Sequence, residues 1–87
     1  MEQGGGSYLT LLPNPANGFV IVQSQLANDG YLTIYDQSGK TAHTILLPKG
    51  QQTSEIDTHN WQAGMYVYHL SDDDTVLQSG KLTVLHP

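Results

Sequence analysis

The residue types that could do covalent chemistry in this chain are Ser54, Asp57 and His59, the hydroxyl, carboxylate and imidazole of a nucleophile triad. Such a triad works only when the imidazole touches the hydroxyl it deprotonates and the carboxylate orients the imidazole from behind. These three follow closely on a single extended segment, where residues two apart share a face and cannot wrap one oxygen. No Gly-x-Ser-x-Gly elbow offers a second nucleophile, so no catalytic residue is expected. The histidines, His43, His59, His69 and His86, lack the two- to four-residue spacing from one another that paired zinc ligands use, and solvent-facing or edge-packed imidazoles are expected instead. Asp72, Asp73 and Asp74 are hard oxygen donors for calcium, yet contiguous carboxylates in a turn point in different directions and lack the alternating acids and distal glutamate of a dedicated loop. A solvated turn is their expected role. Trp61 with Tyr66 and Tyr68 has the makings of a sugar-stacking platform, but aromatics at the entry to an apolar strand more often pack into a core. Neither a metal nor a cofactor is expected.

Charge narrows the partners further. Three lysines and no arginine stand against eight acids, for a net charge of −5. Affinity for phosphate backbones is built from basic contacts, so nucleic acid is not an expected partner, and an anionic membrane surface is disfavoured on the same ground. No apolar run is long enough to cross a bilayer, so direct membrane insertion is not expected. The absence of cysteine removes disulfides and thiolate chemistry together, leaving stability to packing and backbone pairing.

The elements that must position any site are short strands. Gly64-Met65-Tyr66-Val67-Tyr68-His69-Leu70 is the clearest, with Tyr66, Tyr68 and Leu70 on one face and Met65, Val67 and His69 on the other. Bulk on both faces predicts an interior strand with a neighbour on each side. A first segment, Tyr8-Leu9-Thr10-Leu11-Leu12, stops at Pro13-Asn14-Pro15, where two residues without an N–H prevent a regular ladder and favour a kink from one sheet toward another. Phe19-Val20-Ile21-Val22-Gln23 follows, with Val20 and Val22 facing in, then Tyr31-Leu32-Thr33-Ile34-Tyr35 with Leu32 and Ile34 on one face. Asp36-Gln37-Ser38-Gly39-Lys40 predicts a tight hairpin, with Asp36 opening a turn and Gly39 supplying a left-handed residue. Further strands are expected over 41–47 and 53–57 and in the last stretch, where Leu82 and Val84 face in and Gly80 suggests a bulge. No helical period is present. About seven strands, with turn signals every eight to twelve residues, predict an all-β fold, an Ig-like Greek-key β-sandwich, as one domain over residues 8–87. Residues 1–7 have neither a basic region nor an apolar core, so they are not a secretory signal. Gly4, Gly5, Gly6 and Ser7 read as a flexible linker, with Met1 opening an expressed fragment taken from the end of something longer.

Four segments in order, Leu12-Pro13-Asn14-Pro15-Ala16, Ile34-Tyr35-Asp36-Gln37-Ser38-Gly39-Lys40, Ala63-Gly64-Met65-Tyr66-Val67 and Lys81-Leu82-Thr83-Val84, resemble the type A C-terminal sorting domain of the type IX (Por) secretion system of Bacteroidota. The resemblance covers about residues 11–85, with the final segment ending shortly before His86-Pro87. It implies a non-catalytic address carried behind a larger exported cargo, recognised by the type IX translocon and its shuttle proteins and removed by a cell-surface sortase. It also implies passage through the periplasm to the outer membrane, the cell surface or the medium. Carried over residue by residue, it assigns sorting-motif roles to Pro13, Asn14 and Pro15, to Asp36, Gly39 and Lys40, to Gly64 and Tyr66, and to Lys81, Leu82 and Val84. Gly4, Gly5, Gly6 and Ser7 become the processing region. If the last strand lies at a sheet edge, its unpaired backbone is open to strand addition, with Lys81 and Thr83 adding side-chain detail, and an edge-strand dimer is a further possibility. The alternative reading is a non-catalytic Ig-like carbohydrate-binding or adhesive module centred on Trp61.

Overall fold

The computed structural model describes residues 7–73 and 75–85, and Gly4, Gly5, Gly6, Asp74 and His86 lie outside them. Eight strands run in order: β1 (Tyr8–Leu12), β2 (Ala16–Asn17), β3 (Phe19–Leu26), β4 (Gly30–Tyr35), β5 (Thr41–Leu47), β6 (Gly50–Asp57), β7 (Gly64–Asp72) and β8 (Thr75–Leu85). They form two sheets, β1-β3-β6 and β2-β8-β7-β4-β5, packed as a sandwich. The count exceeds the expected seven because the proline-interrupted opening segment divides: β1 joins the first sheet antiparallel to β3, and β2 joins the second parallel to β8.

Alternation explains the core. Residues two apart along a strand share a face, and the buried positions follow that period: Leu9 and Leu11 on β1, Val20 and Val22 on β3, Leu32 and Ile34 on β4, Leu82 and Val84 on β8. β3 continues past Gln23 because Ser24 and Leu26 keep the inward parity, and both are buried. β7 sits between β8 and β4, with Tyr66 and Leu70 buried on its inner face and Met65 and Val67 exposed on its outer one. The expected bulge at Gly80 is displaced. The register between β7 and β8 shifts at Leu70/Ser71, while Gly80 lies opposite Tyr68, whose ring fills the space a side chain there would need. Asp72, expected in a solvated turn with Asp73 and Asp74, is instead the last residue of β7, since pairing reaches Asp72↔Thr75.

Two side-chain amides tie the open side of the sandwich together. Gln78 on β8 reaches across to β1, where its Oε1 accepts from the Leu9 N–H at 3.0 Å and its Nε2 donates to the Leu9 carbonyl at 2.8 Å. Asn14, between the two sheets, does the same to β8: its Nδ2 donates to the Lys81 carbonyl at 3.0 Å and its Oδ1 accepts from the Thr83 N–H at 3.1 Å. A carboxamide carries one donor group and one acceptor, as a peptide group does, so it can fill a rung of a ladder.

Candidate functional site

Among the described residues, Ser54, Asp57 and His59 do not form the candidate triad. Ser54 and Asp57 take opposite faces of β6, and the Asp57 Oδ1 accepts from the backbone N–H of His59 at 2.8 Å, closing the turn that follows the strand. No group of three histidines or acids able to hold a metal occurs among the described residues. Trp61 and Tyr66 pack together at 5.1 Å between ring centroids, the His43 ring lies 6.0 Å from that of Trp61, and Tyr66 is buried. These aromatics close one end of the core.

The four motif segments, dispersed over the sequence, converge on that same end of the five-stranded sheet. The pairings Ala16↔Val84 and Gly64↔Val84 place the start of β2, the end of β8 and the start of β7 side by side, and Tyr35↔Val67 brings the end of β4 next to them. The hairpin after β4 is built by Asp36. Its Oδ1 accepts from the Ser38 hydroxyl at 2.7 Å, the Ser38 N–H at 2.9 Å and the Lys40 N–H at 3.0 Å. Gly39 turns the chain back with φ of +88°, a conformation glycine adopts without strain. The donor hydroxyl of Ser38, helped by the two backbone N–H groups and the Lys40 charge, holds the Asp36 carboxyl below its ordinary value of 3.8.

Gln37, at the tip of that hairpin, leans over Gly64, where a β-carbon would stand 3.3 Å from its Nε2. The Tyr66 hydroxyl donates to the Gln62 carbonyl at 2.7 Å and so fixes the approach to β7. Burial, with a smaller contribution from the charge of Asp36, pushes the Tyr66 phenol above 10.0. Between hairpin and approach lies a cleft of about 230 Å³, lined by Asp36, Gln37, Ser38, Gln62, Gly64 and Tyr66 among others.

Pro13, Asn14 and Pro15 are exposed at the sheet margin, as are Gly39, Lys40 and Lys81, while Leu82 and Val84 are fully buried. The two apolar members therefore hold the sandwich shut, and the outward side chains of the last stretch are Lys81, Thr83 and Leu85. Ser7 lies elsewhere. Its hydroxyl accepts from the Ala27 N–H at 3.1 Å, where β3 ends and β1 begins, which is the far end of the sandwich from the motif cluster. Gln78 lies outside the four segments and Gln37, though inside the second, has no role assigned from the sequence, so only folding reveals what they do. Asn14 lies within the first motif segment, but nothing near it in the sequence shows which strand its carboxamide reaches.

The described residues thus form a small two-sheet domain whose four dispersed motif segments gather at one margin of the larger sheet. The chain is a member of the secretion system C-terminal sorting domain family, whose model matches residues 10–84, nearly all of the structured body. No curated protein matches it.

Proposed function

We propose that this domain is the non-catalytic address of a larger exported protein, read by the type IX outer-membrane translocon and its shuttle proteins and then cut from its cargo by a cell-surface sortase. The observation that carries the reading is the family match over residues 10–84, together with the gathering of four separated segments at one end of one sheet. We read the arrangement as Ig-like, because the opening strand divides between the two sheets and its second part runs parallel beside the last.

The layout suits that role physically. The chain enters at the end marked by Ser7 and reaches the motif cluster at Pro13, after the five residues of β1. Extended chain of that length covers about 17 Å, which sets the proposed processing region apart from the surface a receptor would hold. Gly4, Gly5, Gly6 and Ser7 are the proposed processing region. The sorting-motif residues divide by role: Asp36, Gly39, Gly64 and Tyr66 shape the end, Leu82 and Val84 anchor the last strand in the core, and Pro13, Asn14, Pro15, Lys40 and Lys81 present its surface.

The test is a fusion of residues 8–87 to a periplasmic reporter in a host that has the type IX machinery. Transfer of the reporter to the cell surface is expected, and removal of residues 81–87 should strand it in the periplasm. Undiminished export of the shortened fusion would refute the reading.

A further inference from the structure

β8 is paired along its length by β7 on one side, but on the other it meets a strand only at Ala16↔Val84 and Asn17↔Leu85. Counted back two residues from Ala16↔Val84, position 14 would stand opposite Leu82, although the chain there is no longer strand. In a parallel pairing, the residue at such a position donates to the carbonyl before its opposite number and accepts from the N–H after it. Those two groups are the Lys81 carbonyl and the Thr83 N–H, and the Asn14 carboxamide takes both. The side chain thus stands where the backbone of a neighbouring strand would, on an exposed edge, between two prolines that prevent its own chain from continuing the ladder.

We propose that the outer edge of β8 from Ser79 to Thr83 is a strand-docking site, held closed in the free domain by the Asn14 carboxamide and taken by an extended partner segment with an acidic residue facing Lys81. The partner's source, the secretion machinery, rests on the reading above; the docking chemistry rests on the edge itself. A single side chain fills one rung, whereas an incoming strand offers successive rungs and replaces the carboxamide with groups of the same kind. The side chains next to the edge define the segment. Lys81 is exposed and its cross-strand neighbour is the apolar Val67, so β7 offers it no counter-charge, and Met65 beside Thr83 is also exposed. An acid opposite Lys81, with β-branched or apolar residues on the rest of that face, complements the row.

The experiment uses the reporter fusion in the same host, with Ser79→p-benzoylphenylalanine on the edge and Thr53→p-benzoylphenylalanine, on the opposite sheet, as the control. Irradiation should join Ser79, and not Thr53, to a segment of the machinery whose sequenced peptide is extended in pattern and carries an acid. Asn14→Ala should raise the yield roughly three- to tenfold, since two hydrogen bonds no longer compete for the edge. Asn14→Asp keeps the acceptor for Thr83 and loses the donor to Lys81, so it should fall between. It decides the matter if near-ultraviolet dichroism shows the alanine variant unfolded. Equal labelling from Thr53, an adduct between two copies of this chain, or an unchanged or lower yield in a folded Asn14 variant overturns the proposal. Surface delivery without any Ser79 adduct defeats the docking edge alone, whereas failure of the parent fusion to reach the surface defeats the sorting reading.

Discussion

Replacing Gly80 with alanine probes the contact that sets the spacing of β7 and β8. A β-carbon at Gly80 would stand 2.7 Å from the Tyr68 hydroxyl oxygen and 2.8 Å from two of its ring carbons, well inside van der Waals contact. The ring cannot move away freely, because it packs against the core and its hydroxyl accepts from the Gln78 Nε2 at 3.1 Å, the same group that holds Leu9. Overpacking of this kind costs about 2–3 kcal/mol. Alanine recovers about 0.5–1 kcal/mol of the strand propensity that glycine lacks, leaving a net loss of about 2 kcal/mol. Urea unfolding with a slope of about 1 kcal/mol per molar should show the midpoint falling by about 2 M, and the melting temperature should drop by about 10 °C. Tyr68→Val removes the ring while keeping a β-branched side chain. In that background Gly80→Ala should become stabilising by about 0.5–1 kcal/mol, a coupling of about 2.5 kcal/mol. If alanine costs the same with and without the ring, the contact is not what excludes a side chain at position 80, and the reasoning fails.

Gly30→Ala should be more severe, about 3 kcal/mol by thermal denaturation, because the added carbon would lie 2.6 Å from the Ser71 carbonyl oxygen, a backbone atom that cannot rotate aside. Thr58→Val should have the opposite sign: the Thr58 hydroxyl is buried without a partner, and removing it should raise stability by about 1 kcal/mol in urea titrations while the Thr58 N–H keeps its bond to the Gly18 carbonyl. Asp36 predicts a pH dependence. Its carboxyl is held below its unfolded value, so its contribution is complete above that value and is lost as the pH falls through the folded one. Unfolding midpoints followed from neutral pH downward should therefore decline less steeply in Asp36→Asn than in the parent, and identical slopes would rule the carboxylate out as a source of acid sensitivity.

Much of the fold was legible because period-two burial is a local pattern. Val20 and Val22, Leu32 and Ile34, and Leu82 and Val84 declare their face within a few residues, and Asp36 with Gly39 declares the hairpin. What escaped was set by distance. The bonds from Asn14 to the last strand span 67 and 69 residues, and those from Gln78 to Leu9 span 69, so no local window carries their signal. Gly80 suggests a bulge for the same reason: a glycine in a strand signals missing volume, and only the partner strand shows that Tyr68 supplies it. The gathering of the motif residues at one end has no counterpart in the sequence order, and only the register of β2, β7 and β8 brings them side by side.

The tie between the two extremes of this body has a consequence for biosynthesis. β8 is translated after the other seven strands, and it supplies Leu82 and Val84 to the interior as well as the rung that Asn14 occupies. A polypeptide interrupted before that point leaves the inner face of β7 bare along one flank, and nothing upstream in these residues can substitute. The sandwich is therefore completed only once β8 has been made, and every earlier stage of synthesis lacks its closing strand.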